Sequence, residues 1–395
     1  MQGIRQFDSL IIRFGGEIGI KGEWTRRAHE RLLLKNIKNT LKHYRVDYTE
    51  IVAKRGRIYI EADNVERLAS RLPTIFGISS ISPAKHTTSH IEEIAQTSIE
   101  MTSKEIKNRS SFAVRCHRVG THSYSSMDIC RKIGEEILTK LREKQLHVDL
   151  TDPQFTVNVE VRDADAYVFT QTIRCAGGFP VDSQRKVICL LSGGIDSPVA
   201  CWLAMKRGCP IVPVYFDNTP ITDEATTAKA IETAKKLFEW SIGYSRRMYI
   251  IPHGQNLEIF AKKGPPKLTC ILCKRMMYRI AERIAAVEGA EGIVTGEAIG
   301  EQASQTIVNL RVLNEASKNY PVHRPLLGFD KIETEAIAKK IGTFEISTKK
   351  AKGCTAAPKQ PATQAKLDVV KKAEDSLPIE AMVETSVQAA KIMTL

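Results

Sequence analysis

An alternation of apolar strands and helices in the second half of the chain constrains the fold more than any other feature. Strands are predicted at 186–191 (KVICLL), 211–216 (IVPVYF), 247–252 (RMYIIP) and from 292 (GIVTGE). Helices are predicted between them, at 199–208, 223–240 and 273–289. This alternation is typical of a parallel sheet that helices cover on both faces. The sequence therefore predicts an α/β, Rossmann-like domain whose ligands bind at the carboxyl ends of the strands.

The loop between the first of these strands and its helix predicts a phosphate site. Its sequence is Ser192-Gly193-Gly194-Ile195-Asp196-Ser197. Backbone N–H groups and the positive end of a helix dipole meet anions at such a junction, and glycines allow a close approach. The Lys of a Walker A loop is missing, and Asp196 would repel phosphate unless it holds a cation, which suggests Mg²⁺. The alternative is an ordinary tight turn.

The first half of the chain predicts smaller α+β units. A strand at 8–14, a basic amphipathic helix at 24–44 and a strand at 57–62 indicate one unit to about residue 65. Helices at 64–72 and 127–142 and strands at 111–118, 155–162 and 167–173 indicate a second. The Gly-Gly-Phe-Pro stretch at 177–180 is the candidate linker. We therefore expect domains at 1–65, 66–173 and 174–395.

Charge favours a polyanionic partner. Lys and Arg exceed Asp and Glu by 58 − 45 = 13, and residues 1–60 alone hold 13 basic against 6 acidic residues. Such a surplus favours nucleic acid through counterion release, although a solvated basic face is the alternative. Neither an apolar run of ~18–20 residues nor a signal peptide is evident. We expect no membrane association and a cytoplasmic location.

Seven segments, in order and spacing, resemble the tRNA 4-thiouridine sulfurtransferase family. They are RFGGEIGIKG (13–22), FGISSISPA (76–84), GGFPV (177–181), LLSGGIDSP (190–198), CKRMMYRIAERIA (273–285), TGEAIGEQASQT (295–306) and HRPLLGFDK (323–331). The loop SGGIDS by itself resembles the pyrophosphatase (PP) loop of the ATP-pyrophosphatase superfamily. The resemblance implies a ferredoxin-like domain, a THUMP domain and a PP-loop domain, the first two binding tRNA. It further implies adenylation of the C4 oxygen of uridine 8, followed by replacement of AMP with sulfur.

The resemblance also implies the site residues and partners. ATP contacts are expected from Leu190, Leu191, Ser192, Gly193, Gly194, Asp196, Ser197, Tyr215, Phe216, Lys274, Gly296 and Gln305. Lys331 falls where the family carries a functional lysine, although a surface helix cap is the alternative. Expected partners are tRNA, a sulfur donor (a cysteine desulfurase persulfide or sulfide) and a second copy of the chain. Bacterial members are also linked to thiamine thiazole synthesis.

Three of the nine cysteines have surroundings suited to sulfur chemistry. An odd count in a chain of this length argues against a disulfide framework. Cys354 lies in a loop beside Lys349, Lys350 and Lys352, which favour a thiolate, and family members place a catalytic cysteine there. The chain ends without the rhodanese domain of many bacterial members, so delivery of a persulfide by a rhodanese cysteine is not expected.

A C-x-x-C pair, Cys270 and Cys273, lies at the start of the predicted helix at 273–289. It could be a redox dithiol, its thiol pKa lowered by the helix N-terminus, that releases sulfur from Cys354. With Cys354 it could instead hold an iron–sulfur cluster. Two ordinary thiols are the third alternative.

Two other functions compete with this hypothesis: a thiolase of the same superfamily that acts at another tRNA position, and a non-catalytic tRNA-binding protein. The order of the motifs argues against the first, and the intact Ser192, Asp196 and Cys354 argue against the second. Residues 366–395 are predicted to be helical, with no assigned function.

Overall fold

The computed structural model describes residues 6–54 and 56–395. The chain divides into two compact units, 1–179 and 180–395, and the boundary between them falls within the predicted linker at 177–180. Arg5 and Arg55, two of the basic residues counted above, lie outside the described residues. No helix in the described ranges is long and apolar enough to cross a membrane.

The described part of the first unit is built on one nine-stranded sheet, with four longer helices. Its elements are β1 (Ser9–Phe14), α1 (Gly16–Gly19), α2 (Glu23–His43), β2 (Glu50–Lys54), β3 (Arg57–Glu61), α3 (Val65–Arg71), β4 (Ile78–Thr88), α4 (Ile91–Glu105), β5 (Ser111–Val119), α5 (Ser126–Lys140), β6 (His147–Val148), β7 (Phe155–Arg162), β8 (Asp165–Phe169) and β9 (Ile173–Arg174). The strand order is β2-β3-β1-β4-β8-β7-β5-β6, and β9 pairs with β4.

Two hydrophobic cores form on this sheet. The apolar stripe of α2, including Leu33, Ile37 and Leu41, packs with β1 and β3. Leucine and isoleucine at this helical spacing bury one face of α2 and leave its basic residues to solvent. A separate core joins α4 and α5 to β7 and β8. The long strand β4 pairs with both β1 and β8, so the sheet continues across the expected boundary at residue 65. The bounds of the three expected domains stay predictions.

The second unit contains a parallel sheet flanked by helices. Its elements are β10 (Val187–Leu190), α6 (Asp196–Lys206), β11 (Ile211–Asp217), α7 (Glu224–Phe238), β12 (Arg247–Pro252), α8 (Gly254–Lys263), α9 (Thr269–Glu288), β13 (Ile293–Val294), α10 (Ile307–Asn314), β14 (Val322–His323), α11 (Lys331–Ile341), α12 (Phe344–Ser347), α13 (Leu367–Asp375), α14 (Ile379–Gln388) and β15 (Lys391–Thr394). The predicted parallel α/β sheet is confirmed.

The strand order β14-β13-β10-β11-β12-β15 places a topological switch point at β10. The chain moves from β10 to β11 and β12 on one side and returns to β13 and β14 on the other. The loops that follow β10 and β13 therefore diverge and leave a crevice at the carboxyl edge of the sheet. The SGGIDS loop lies at this crevice.

Residues 366–395 fold as α13, α14 and the antiparallel edge strand β15, which pairs with β12. The predicted helices are present, whereas the final strand was not predicted. Its segment, KIMT, is too short and too mixed in polarity to give an alternating signal.

Candidate active site

The SGGIDS loop is closed by its own serines. The backbone N–H of Ser192 and its hydroxyl each lie 2.8 Å from Oγ of Ser197, and the N–H of Gly194 donates to Oγ of Ser192 at 3.2 Å. Helix α6 begins at Asp196, so its N-terminus opens directly on the loop. A Cβ on Gly296 would lie 2.6 Å from the backbone N of Ser197, so glycine is required where the β13 loop approaches this helix.

A cavity of about 490 Å³ opens above this loop. All twelve residues predicted to contact ATP line it: Leu190, Leu191, Ser192, Gly193, Gly194, Asp196, Ser197, Tyr215, Phe216, Lys274, Gly296 and Gln305. Residues from four separate segments of the sequence therefore meet at one place. Cys354, from the loop after α12, lines the same cavity.

The cavity is lined both by apolar side chains and by groups that can bind phosphate. Tyr215 and Phe216, at the end of β11, are almost fully buried, and burial raises the pKa of the Tyr215 hydroxyl. Leu190 and Met277 extend this apolar lining. The SGGIDS loop and Lys274 also line the cavity. The cavity thus offers an apolar surface and an anion site side by side, as a nucleotide requires.

Glu297, which was not predicted as a site residue, organises the charged side. Its Oε1 accepts from Nζ of Lys274 at 3.0 Å, and its Oε2 accepts from the Tyr278 hydroxyl at 2.6 Å and from Nε of Arg324 at 2.9 Å. Burial alone would raise the pKa of Glu297, but Lys274, Tyr278 and Arg324 outweigh burial and hold it below its ordinary value. Glu297 is therefore a carboxylate that fixes two cations.

Lys331 reaches the PP loop and does not cap its own helix. Nζ of Lys331 lies 2.6 Å from Oδ1 of Asp196 and 3.5 Å from Oε2 of Glu301. Partial burial lowers the pKa of Lys331, but the bond to Asp196 outweighs it and the net shift is upward. Asp330, with Glu333, forms the capping box of α11, so the cap alternative for Lys331 is wrong.

The C-x-x-C pair lies inside a helix, because α9 begins at Thr269 and not at residue 273. Cys270 is half-buried and Cys273 is buried in the core, and neither lines the cavity. The predicted lowering of their thiol pKa is wrong. Burial raises the pKa of both thiols, and the neighbouring cysteines raise it further, while Lys274 lowers it less. Desolvation of the charged form outweighs the helix N-terminus here.

Cys354 contributes to the raised pKa of both Cys270 and Cys273, so the three thiols interact electrostatically. They are not disulfide-bonded, and Cys354 is exposed. Of its predicted lysine neighbours, Lys349 pairs with Glu232 at 2.5 Å and Lys352 lines the cavity. Over residues 6–54 and 56–395, no three or more His, Cys, Asp or Glu side chains are arranged to hold a metal ion. The iron–sulfur cluster stays a prediction.

The fold and the site define a Rossmann-like α/β protein of the PP-loop class. Family models match three stretches: a ferredoxin-like domain at 9–82, a THUMP domain at 88–171 and the model described as thiamine biosynthesis protein (ThiI) at 182–379. The chain belongs to the ThiI family.

Relatives of similar length support this membership. A probable tRNA sulfurtransferase of Methanosarcina mazei is 39% identical over 393 residues, covering 99% of this chain and 96% of the relative. A probable tRNA sulfurtransferase of Thermoanaerobacter pseudethanolicus is 39% identical over 377 residues, covering 94% and 95%. A crystal structure of a 4-thiouridine synthetase–RNA complex with bound ATP is 34% identical, with a TM-score of 0.88 over 98% of this chain and 100% of that one.

The site residues that were not predicted from the sequence lie inside the motifs quoted above. Glu297 belongs to TGEAIGEQASQT, Tyr278 to CKRMMYRIAERIA and Arg324 to HRPLLGFDK. The signal available was an acidic residue three positions after a short apolar strand, with basic residues in the two other motifs.

Proposed function

We propose that this chain is an ATP-dependent tRNA sulfurtransferase that adenylates the C4 oxygen of uridine 8 and replaces it with sulfur. The observation that carries the proposal is that Cys354 and the SGGIDS loop line one cavity. A nucleotide held by the loop would then be activated beside the thiol that brings sulfur. An adenylating enzyme without thiolation would not need an exposed cysteine there.

The ATP step uses groups that are already in position. The N–H groups of the loop and the N-terminus of α6 bind phosphate oxygens, and Lys274 neutralises charge on them. Adenine lies against Leu190, Tyr215 and Phe216. Asp196 fits Mg²⁺, because this ion takes one or two carboxylates together with nucleotide phosphates. When bound, Mg²⁺ would offset the charge of the leaving pyrophosphate, and Lys331 holds Asp196 in place.

In the sulfur step, the thiolate of Cys354 takes the outer sulfur of a donor persulfide and expels the donor's thiolate. The outer sulfur of the Cys354 persulfide then attacks C4 of the adenylated uridine and expels AMP. The outer sulfur is then joined to both C4 and Sγ of Cys354. The thiolate of Cys270 attacks Sγ of Cys354, the sulfur–sulfur bond breaks, and its electron pair leaves with the sulfur on C4 as 4-thiouridine. Cys273 next attacks Cys270 and frees Cys354, and an external thiol reduces the resulting disulfide. The electrostatic effect of Cys354 on Cys270 and Cys273 supports this order.

The tRNA partner is supported by a basic stripe on α2, formed by Arg27, Arg31, Lys35, Lys38 and Lys42. These residues recur every three or four positions, so they share one face, and all are exposed. Trp24, 79% exposed, lies at the beginning of the same face. A line of cations with an exposed aromatic ring suits a phosphate backbone with a base available for stacking.

Four other expectations from the sequence stay predictions. These are a cysteine desulfurase persulfide or sulfide as the sulfur source, a homodimer, a cytoplasmic location and a sulfur-carrier role in thiazole synthesis. The exposure of Cys354 supports direct delivery by a donor protein.

Purified protein with unmodified tRNA, Mg²⁺-ATP and a sulfide or persulfide donor tests the proposal. We expect AMP, pyrophosphate and the near-ultraviolet absorption of 4-thiouridine, and we expect tRNA with cytidine at position 8 to give none of them. Thiolation of another nucleotide would indicate the rival thiolase. Tight tRNA binding without AMP release would indicate the non-catalytic alternative.

Anaerobic purification with iron and acid-labile sulfide analysis tests the dithiol. We expect active protein without stoichiometric iron. Iron and sulfide that disappear together in Cys270→Ala would replace the dithiol with a cluster.

A further inference from the structure

The segment 217–223, which begins at the end of β11, carries two polar side chains that the proposed reaction does not yet use. Asn218 and Thr222 both line the cavity. Oδ1 of Asn218 and Oγ1 of Thr222 are shielded from solvent, and neither has a hydrogen-bond partner within the described part of the chain. Oε1 of Gln305, a predicted ATP contact, is in the same condition. Shielded polar atoms without partners are unfavourable, so in a binding cavity they indicate a ligand that supplies the partners.

The backbone of this segment is held in place by its own hydrogen bonds. The N–H groups of Ile221 and Thr222 donate to the carbonyl of Asn218 at 2.8 and 3.2 Å. The N–H and the hydroxyl of Thr219 donate to Oδ1 of Asp217 at 3.0 and 2.7 Å. The two unpaired atoms are covered in this structure, so a ligand is met by rotation of two side chains on a fixed backbone.

The same segment is bonded to the loop that carries Cys354. Oδ2 of Asp223 accepts from the N–H of Lys352 at 3.0 Å, and the carbonyl of Ile221 accepts from the hydroxyl of Thr355 at 3.2 Å. Lys352 and Thr355 lie on either side of Cys354 in the sequence. The segment 217–223 and the Cys354 loop therefore form one continuous part of the cavity lining.

The group that must lie beside this part of the lining in the proposed reaction is the uracil base, because sulfur joins its C4. The phosphates of ATP are placed on the SGGIDS loop instead. When O4 is engaged in adenylation, uracil still offers its N3–H as a donor and its O2 as an acceptor. A carboxamide oxygen and a hydroxyl complement these two groups. Cytosine has no hydrogen on N3, so an acceptor at this place also disfavours the other pyrimidine.

We propose that Asn218 and Thr222 are specificity-determining residues that bind the uracil base, with Oδ1 of Asn218 accepting from N3–H and the hydroxyl of Thr222 donating to O2. The inference rests on the proposed function and deepens it, since it names how the substrate base is selected. Adenylation at O4 forms a C4–N3 double bond and releases the N3 proton to solvent. The carboxamide of Asn218 then rotates and donates from Nδ2 to N3, which a carboxylate at this position cannot do.

Matched changes in the protein and in the tRNA test the inference. 2-Thiouridine at position 8 weakens the acceptor at O2, and 3-deazauridine replaces N3–H with C–H, while both keep O4. The readout is kcat/KM for tRNA, measured by AMP release. With uridine at position 8 we expect Thr222→Val and Asn218→Ala each to lower it about tenfold.

The loss should disappear when the tRNA already lacks the partner atom. We expect Thr222→Val to change kcat/KM by no more than about twofold on 2-thiouridine, and Asn218→Ala by no more than about twofold on 3-deazauridine. With the analogues exchanged, each variant should keep its loss of about tenfold. If an analogue releases no AMP, its inhibition constant against uridine-8 tRNA takes the place of kcat/KM.

Thr233→Val is the matched control. Oγ1 of Thr233, on α7, is also buried without a partner among the described residues, but Thr233 does not line the cavity. We expect this variant to match the wild type on all three tRNAs. A purely structural role of Asn218 or Thr222 would lower kcat/KM equally on all three, and that result overturns the inference.

An ATP contact is the other outcome that overturns it. The dissociation constant for ATP without tRNA should stay within about twofold of the wild type in Asn218→Ala and Thr222→Val, and a rise as large as the fall in kcat/KM would assign both residues to the nucleotide. If one variant does not fold, the other variant with its own analogue decides whether the base is recognised here. A wild-type chain that thiolates no uridine removes the proposed function itself, a separate failure that is seen before any variant is compared.

Discussion

Oε1 of Glu297 lies 3.0 Å from Nζ of Lys274, and this ion pair fixes the one predicted phosphate-binding ammonium inside the cavity. The two residues are 23 positions apart in sequence and come from α9 and from the loop after β13. Both partners are shielded from solvent, so the interaction is stronger than a surface pair. The position of the ammonium therefore depends on a residue that need not touch ATP.

Glu297→Gln should impair ATP use with little change in tRNA binding. The amide no longer holds Lys274 by charge, and loss of a charge-assisted bond costs about 1.5–3 kcal/mol. We expect kcat/KM for ATP, measured by AMP release, to fall about 10- to 100-fold. Lys274→Met should cause a loss at least as large.

Glu288→Gln is the matched control for Glu297. Glu288 is also a shielded carboxylate, bonded to Lys186, Arg247 and Tyr249. It lies at the C-terminal end of α9, whereas Lys274 lies near the N-terminal end. We expect reduced stability in this variant with an unchanged KM for ATP. Equal effects of the two changes on KM would show that Glu297 acts only through general stability.

Cys354→Ser should separate the two halves of the reaction. Cys354 lines the cavity without contributing to the loop that binds phosphate, so adenylation needs its space but not its thiol. We expect 4-thiouridine formation to fall by at least about 1,000-fold, because the nucleophile is removed. AMP release in the presence of tRNA should persist. Cys201→Ser, at a core thiol, is the control for non-specific effects of cysteine replacement.

The basic stripe on α2 should account for part of the salt dependence of tRNA binding. Each lysine or arginine that contacts a phosphate contributes about 1 to the slope of log K against log salt concentration. We therefore expect the double change Arg31→Ala and Lys35→Ala to weaken binding and lower the slope by about 2. Filter binding over a range of KCl concentrations measures both quantities.

Two further variants test whether the change in slope comes from the basic stripe on α2. Lys262→Ala with Lys263→Ala removes the same charge from exposed positions on α8 and should leave the slope unchanged. Trp24→Ala should weaken binding without a change in slope, since stacking releases no counterions. A slope that falls equally in the α2 and α8 variants would mean that net charge, not the stripe, governs binding.

The fold and most of the cavity could be predicted because their signals are local. Gly193 and Gly194 follow a buried strand directly, and strand–helix alternation dictates a parallel sheet whose loops meet at one edge. Ten of the twelve predicted ATP contacts lie in the quoted motifs, and the other two, Tyr215 and Phe216, lie at the end of the second strand of this sheet. Once the sheet order is known, their convergence follows from topology alone.

The residues that were missed or misjudged depend on contacts between distant segments. Glu297 acquires its role from Arg324 and Tyr278, and periodicity does not indicate these contacts. The thiol pKa prediction failed because it considered the end of one helix and not the core that buries Cys273. Burial is a property of the assembled unit, so a local pattern does not report it.

The last prediction concerns the attachment of the C-terminal segment to α9, the helix that carries Cys270, Cys273 and Lys274. Glu374 on α13 accepts from Nε and Nη2 of Arg275 at 2.8 and 2.9 Å and from both Nη atoms of Arg279. Arg275 has no exposed surface. Arg275 also pairs with Glu315 at 2.7 Å, so Glu374→Gln would leave this guanidinium with one of its two carboxylate partners. We expect the loss of the charge-assisted bonds to Glu374 to cost about 1.5–3 kcal/mol.

The pH dependence of this loss has a definite sign. Burial alone would raise the pKa of Glu374, but the two arginines outweigh burial and lower it. A carboxyl with a lowered folded pKa stabilises fully above its unfolded value of about 4.3 and loses that contribution as pH falls through the folded value. The difference in free energy of unfolding between the wild type and Glu374→Gln should therefore be constant from about pH 6 to 8 and shrink below about pH 4.

Urea unfolding in a Trp24→Phe background measures this difference, because the fluorescence then comes from Trp202 and Trp240, both in the second unit. Glu380→Gln removes a solvent-exposed pair with Arg283 from the same segment and should have a small effect at every pH. A difference for Glu374→Gln that stays constant down to pH 3 would show that the carboxylate charge does not hold α13 on α9. The lost stability would then reflect packing, and residues 366–395 would stabilise α9 through packing contacts alone.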